Sequence, residues 1–462
     1  MKKIVKDTNL VPVSIANLVL DSKVAEGSMN PPTSDAVSKS LVGIEEAMVA
    51  NLDLPDNTLV FSFGNPVYDP VAAGAGPSGT WSKMNTSVAN IWSWTNSSTS
   101  WATAFGGGAA DVPGAFGDYE GNPTKVIAAG DTSSVTDFSR LFQNCYGIIE
   151  ICPIDTSGAT NVFIMFSHCE NCEKFPDMDF SNATNVMGAY QSCNKMKIGP
   201  NIVFPTEHTY SLQNFFMGCI NLETIPLYDT SNCTNMVAMF QCPTNSSTGK
   251  VIGYMNLKEI PLLDTGKVTS MKGMFQGCKS LETIPLLDTR NVTNMNSMFR
   301  TCTSLTSVPL LNTEKVTTMN SMFRCCTALT TVPQFDTGRV TGFGSMFDGA
   351  DGDDRTTYYE MHMAAVPNFN YSNGTRFDDF MANNVSLTSI PEMTFGTSVT
   401  NVDRMFTRCP NVQSGAKDLY DTLSQIASIT DHSDTFTDCG SNTESGRAEL
   451  AQIPTSWGGT LS

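Results

Sequence analysis

The chain has 462 residues, with 45 acidic against 27 basic side chains and a formal net charge of −18. No Lys/Arg cluster breaks this acidity, which excludes a surface built to displace the counterions of a nucleic acid. Hydrophobic residues at 40 % are enough for a core, while charged residues at 16 % fall well below the roughly 25 % of ordinary globular chains, their share being taken by Thr, Ser and Asn.

Met1-Lys2-Lys3-Ile4 has the start of an export leader, but Lys6, Asp7, Asn9, Ser14 and Asn17 interrupt the apolar stretch that should follow. The sequence is therefore read as lacking a signal peptide. It also contains no run of about 18 apolar residues that would span a membrane. Pro31-Pro32-Thr33-Ser34-Asp35 predicts a helix start, with Ser34 as N-cap and Asp35 near the positive end of the dipole. Along that helix Val37, Leu41, Ile44 and Met48 form a heptad seam. So short a helix needs a partner, either other copies of the chain or another part of the same one. The segment Asn30-Pro31-Pro32-Thr33-Ser34-Asp35-Ala36-Val37 is similar to N-terminal segments of phage tail-fibre and related virion proteins. That resemblance implies a trimeric stalk or attachment helix in residues 1–52, making Val37, Leu41, Ile44 and Met48 the oligomerisation residues.

Residues 53–130 are expected to be rich in β-structure, from Leu59-Val60-Phe61-Ser62-Phe63 onward. Trp81, Trp92, Trp94 and Trp101 cluster here. They suit the core of a cap over the open end of a repeat array, or else rings that stack on sugars.

From residue 131 to 440 a unit of about 24 residues recurs, as in Met274-Phe275-Gln276-Gly277-Cys278 and Met298-Phe299-Arg300-Thr301-Cys302. The aromatic slot is assigned to Phe142, Phe166, Tyr190, Phe216, Phe240, Phe275, Phe299, Phe323, Phe347, Phe380, Phe406 and Phe436. Long steps after Phe240, Phe347 and Phe406 imply insertions that become loops on one face. Met319, Met322 and Phe323 at i, i+3 and i+4 predict one helical turn. Leu305-Thr306-Ser307-Val308 predicts a short strand that Pro309 ends, since proline cannot donate to a ladder. The Asp-Thr-x-x-Val steps, such as Asp264-Thr265-Gly266-Lys267-Val268 and Asp288-Thr289-Arg290-Asn291-Val292, predict side-chain-capped turns. A metal ladder is disfavoured because Asn312-Thr313 fills the same place without the charge. The expected fold is an α/β repeat solenoid, one short strand plus a helical turn per unit, with a small N-terminal helical segment and a β-rich cap. Residues 441–462, with Trp457, are expected to close its other end.

The units Asp288–Phe299 and Asn312–Phe323 resemble BspA-like leucine-rich repeats of bacterial surface proteins and of phages of gut bacteria. The resemblance spans roughly residues 130–440. It implies adhesion or receptor binding and carries over no catalytic residue.

Nine of the 14 cysteines stand three residues after the aromatic slot: Cys145, Cys169, Cys193, Cys219, Cys278, Cys302, Cys326, Cys409 and Cys439. Register makes them a file of buried thiols, and Cys169-x-x-Cys172 and Cys325-Cys326 lack the second ligand pair of a zinc site. Neither a metal, nor a cofactor, nor a catalytic group is expected from His168, His208, His362 or His432. The loop Asp348-Gly349-Ala350-Asp351-Gly352-Asp353-Asp354 is read as a solvated acidic insertion, with calcium binding as the alternative.

Ligand contact is expected on the sheet face, at Glu223, Thr224, Lys258, Glu259, Glu282, Thr283, Thr306, Ser307, Thr330 and Thr331. The leading functional expectation is a non-enzymatic component of a tailed-phage virion, made in the host cytoplasm. It would bind other virion proteins through its N-terminal region and a host-surface glycan or protein through the solenoid. A bacterial cell-surface adhesin is the alternative.

Overall fold

The computed structural model describes residues 135–461 apart from 152 and 353–356, together with the backbone of five strands between 58 and 129. Two compact units are present, one formed by Met1–Asn185 with Pro200–Phe204, the other by Val186–Gly199 with Pro205–Ser462. The helix predicted over Val37, Leu41, Ile44 and Met48 lies outside the described residues.

The first unit contains β1 (Thr58–Phe63), β2 (Ala72–Ala75), β3 (Thr80–Lys83), β4 (Trp92–Asn96), β5 (Lys125–Ala129) and β6 (Glu150–Ile151). They form one sheet in the order β2-β3-β4-β1-β5-β6. β1 runs parallel to both β4 and β5, whereas β3 is antiparallel to β2 and β4. The register sets Trp81 opposite Trp94; Trp101 lies outside the described residues. β6 already belongs to a repeat coil, and the same unit holds the parallel pair β7 (Met178–Asp179) and β8 (Ile202–Val203). Its coils are linked by parallel bridges from Asp137 to Asn161 to Asn185 and from Glu150 to Lys174, with Phe142 stacked on Phe166 at 5.6 Å.

In the second unit β9 (Tyr210–Ser211) pairs in parallel with β10 (Cys233–Asn235). Beyond them a file of parallel bridges links successive coils through Asn235, Ser270, Asn294, Thr318, Gly342, Arg376, Asn401 and Asp431, and the later coils add Met361–Asn384, Tyr371–Phe395 and Ser389–Ser414. The file runs through the residues just after the Asp-Thr-x-x-Val turn. The Leu-x-x-Ile/Val-Pro segment, expected to be the strand, forms β6 in the first unit and parallel bridges at Ile198–Thr224 and Ser389–Ser414 in the second, while the coils around Leu305 keep only bonds such as Thr306 N–H to Glu282 O at 3.0 Å. Leu305 and Val308 still point inward, 0 % and 6 % exposed, because two outward residues separate them.

The expected helical turn is also replaced. Met295, Ser297, Phe299 and Thr301 donate their N–H groups to Thr318, Asn320, Met322 and Arg324 of the next coil. Met298, Arg300 and Cys302, in between, donate back three residues to Met295, Ser297 and Phe299. A helix would use carbonyls four residues back and keep every bond inside one coil. The alternation instead needs left-handed residues, and Ser297 and Thr301 take φ of 55° and 61°. The same two places of other coils are left-handed at Arg140 and Asn144, Ser321 and Cys325, and Arg404 and Arg408. Each such residue is held by its own N–H bond to the next coil, so the cost of the conformation is met by stacking. Met319, Met322 and Phe323 are fully buried, but a chain of turns aims them inward, not a helix.

The aromatic file follows the assigned slots from Phe216 through Phe240, Phe275, Phe299 and Phe323 to Phe347, with rings 5.6–5.9 Å apart and within 11° of parallel. Phe380 does not continue it. Met381 accepts the slot's bonds: Asn383, two residues on, is left-handed, and the Cys409 thiol donates to Met381 O as Cys326 does to Phe299 O. Phe380 takes the place of Met322 and meets Phe347 at 75°.

Among the described residues, helix is confined to α1 (Ala416–Leu423), α2 (Glu444–Leu450) and one 3-10 turn, Thr455–Trp457. Glu449 of α2 accepts the N–H groups of Ala416 and Lys417 at the start of α1. Trp457 O and Thr460 O accept the N–H groups of Phe436 and Asp438, acting as one more coil, and the Trp457 ring stacks on His432 at 4.3 Å.

Candidate functional site

Three polar files account for most of the residues that look chemical in isolation. The first caps turns: Asp264, Asp288, Asn312 and Asp336 each accept the N–H two residues on, at 2.9–3.2 Å. Asn312 does this as well as Asp, so charge is not required. The second is the threonine beside each cap, where buried Thr265, Thr289, Thr313 and Thr337 donate to the matching carbonyl of the next coil. The third is an outward threonine file, Thr269, Thr293, Thr317 and Thr341, each hydroxyl bonded to the carbonyl of the threonine before it. Sequence reasoning passed over that last file, although its 24-residue spacing was visible.

The cysteine slots behave as register predicts. Cys169, Cys219, Cys302 and Cys326 donate to aromatic-slot carbonyls of the preceding coil at 3.0–3.2 Å. Burial pushes the Cys409 thiol up to about 12 and the Cys172 thiol to about 12, so both stay protonated and unreactive at neutral pH. No group of three or more metal-ligating side chains occurs among the described residues.

The ten sheet-face residues form a band on the outside of successive coils. Lys258, Glu259, Glu282, Thr283, Thr306, Ser307, Thr330 and Thr331 are exposed, whereas Glu223 and Thr224 are half-buried. Lys258 pairs with Glu223 at 2.5 Å, which holds the Glu223 carboxyl below its ordinary value. A second band lies just past the prolines: Leu227, Leu262, Leu286 and Leu310 are 61–71 % exposed in four successive coils. In later coils the slot becomes Gln334, Asn368 and Glu392. Four in-register exposed leucines make a contiguous apolar strip of the kind that marks contact surfaces.

The first two insertions meet. Lys250 and Tyr254 of the first bond Thr357 and Tyr359 of the second, at 3.0 and 3.3 Å. The second is a hairpin of β11 (Ala350–Asp351) and β12 (Thr357–Tyr358). Its start contradicts the solvated reading, because Asp348 and Asp351 are 1 % and 3 % exposed. Arg324 reaches Asp348 at 3.3 Å and donates to Ala350 O and Gly352 O. Arg300 donates to Gly249 O of the first insertion and lies 3.6 Å from Asp351 of the second. Guanidinium forks can serve several carbonyls and a carboxylate at once, so two arginines of regular coils clasp both loops. Asp348 also accepts from Ala350 N and Asn383 Nδ2, leaving its charge to arginine and amide donors. Gly349 fits only as glycine, since a Cβ there would meet Tyr359 O at 2.0 Å. At the foot of the hairpin opens a cleft of about 640 Å³, continuous in its lining with a smaller cavity of about 190 Å³.

Stacked coils joined by a file of parallel bridges, an aromatic file and loops gathered outside it define a repeat protein. The family model described as "Mycoplasma protein of unknown function, DUF285" matches residues 110–198, 184–250 and 246–358, more than half of the chain. The chain belongs to that family. No curated protein matches it.

Proposed function

We propose that this chain is a non-enzymatic binding protein, an adhesin related to the BspA-like leucine-rich-repeat surface proteins, that holds a partner on the outside of its coils. The exposed leucine strip beside the polar band carries this reading. Leaving Leu227, Leu262, Leu286 and Leu310 in water forgoes the burial that every other leucine of these coils obtains, and it recurs in one slot only. The polar neighbours Glu282, Thr283, Thr306, Ser307, Thr330 and Thr331 would form the rim. Beads coated with the chain are expected to adhere to host cells, and Leu286→Ser with Leu310→Ser to cut adhesion at least tenfold. Lysine at Thr306, Ser307, Thr330 and Thr331 should also weaken it. Unchanged adhesion in both variants removes the strip and band from consideration.

A second reading places the same surface on a tailed-phage particle. It rests on the Asn30–Val37 segment, which lies outside the described residues. Antibody labelling separates the two: signal on phage-free cells supports the adhesin, signal on purified virions the appendage.

A further inference from the structure

The second insertion does more than lengthen a coil, because its hairpin makes one wall of the 640 Å³ cleft. Tyr358 of β12 is 43 % exposed there, and the Arg408 guanidinium lies 4.3 Å from the centre of its ring. Arg408 comes from a coil two steps further along the array, in a left-handed place held by a 2.8 Å bond to Thr437 O. Val385, Pro410 and Leu461 add apolar surface to the lining. Asn383 and Ser441 add uncharged polar groups. The clasp of Arg324 on Asp348 fixes the hairpin's root, so the tyrosine wall is positioned before any ligand arrives.

The charge around this cleft narrows the ligand. Glu360, Asp379, Asp434 and Asp438 line the two cavities against Arg404 and Arg408. Arg404 is already committed, at 3.0 Å, to Asp379. A polyanion would meet a net negative rim, and a cation would meet Arg408 at the centre. An uncharged ligand with many hydroxyls and apolar ring faces meets neither penalty. Planar carboxylate, amide and guanidinium groups can each engage two hydroxyls, while tyrosine, proline and valine surfaces take C–H faces.

We infer that the cleft lined by Tyr358 and Arg408 is a binding site for a neutral oligosaccharide. This names a ligand class for the surface-binding role and rests on that reading. Arg408 holds the Tyr358 ring by cation–π contact and presents its remaining N–H groups to sugar oxygens.

The test uses the full chain on a printed array of neutral hexose and N-acetylhexosamine oligosaccharides beside sialylated and sulfated ones, followed by titration calorimetry with the best neutral probe. Binding to neutral glycans is expected. Tyr358→Ala and Arg408→Asn should each weaken it at least tenfold, asparagine being chosen because it tolerates the left-handed backbone. Leu286→Ser with Leu310→Ser should leave glycan affinity unchanged, and circular dichroism with thermal melts checks that every variant is folded. No binding by the folded chain, binding to anionic glycans alone, or full affinity in both cleft variants overturns the inference. Full glycan affinity in the cleft variants sinks the site without touching the adhesin reading, whereas lost glycan binding with adhesion intact supports the site and leaves adhesion to the leucine strip. Glycan binding without cell adhesion keeps the site and sinks that reading.

Discussion

The regular coils around Phe275, Phe299 and Phe323 and the inserted loops beside them satisfy polar groups in opposite ways. In the coils many donors find a partner about one period away: thiol to carbonyl, threonine to carbonyl, left-handed N–H to the next turn. Each bond is small and local to a neighbouring pair, so stability accumulates along the array. The insertions have no register to follow. They are held by a few buried charges, Arg300 and Arg324 against Asp348 and Asp351, and by the Lys250–Thr357 bond between residues 107 apart in sequence. A periodic structure spreads its polar bonds, whereas a grafted loop concentrates them, and concentrated bonds position a surface more firmly.

Breaking either system should reveal this. The largest effect is expected from Phe299→Ala, which opens a hole in the aromatic file and should cost about 3–5 kcal/mol in denaturant unfolding. Asp348→Ala removes the carboxylate 3.3 Å from the buried Arg324 guanidinium and is expected to cost about 3–5 kcal/mol, toward the lower end because the Ala350 and Gly352 carbonyls remain. Only Asp348→Ala should also raise hydrogen exchange through Gly349–Tyr359; unchanged exchange there would show that the clasp does not hold the hairpin. Cys302→Ala removes one thiol–carbonyl bond and should cost about 0.5–1.5 kcal/mol plus a small void. The buried thiols should stay unmodified by a thiol reagent at neutral pH until the chain unfolds.

Smallest of all, Asp288→Asn should change stability at neutral pH by less than about 0.5 kcal/mol, because Asn312 already serves the same turn. The pH dependence sharpens the point. Bonding to Arg290 holds the Asp288 carboxyl below its ordinary value, and bonding to Ser231 does so for Asp229. Folded values below unfolded ones mean stability that is complete above the unfolded carboxylate range and lost as pH falls through the folded values. Acid titration of Asp288→Asn should therefore show a shallower loss than the parent.

The repeat, its period and the purpose of its slots were legible in the residues. Asp and Asn alternate at one place, cysteine recurs three residues after an aromatic, and both patterns need nothing but register to interpret. Local conformation was less legible. Met319, Met322 and Phe323 have helical spacing, yet a chain of turns with left-handed residues at every fourth place projects them to the same side. Ser297, Thr301 and Cys325 give no sign of φ above zero, since that conformation is stabilised by bonds to the next coil. Phe380 was misplaced by one residue because an aromatic in the neighbouring slot mimics the marker, and only the backbone bonds to Met381 decide it.

What the sequence determined alone was therefore what repeats: composition, period, and the side chains that stack on their own equivalents. What only the tertiary structure decided was what happens once, namely that two insertions meet through a bond between residues 107 apart, that Asp348 and Asp351 are buried instead of solvated, and that Tyr358 and Arg408 share a cleft. Periodicity writes a contact into the sequence many times over. A contact made once, between loops of different coils, leaves no such trace.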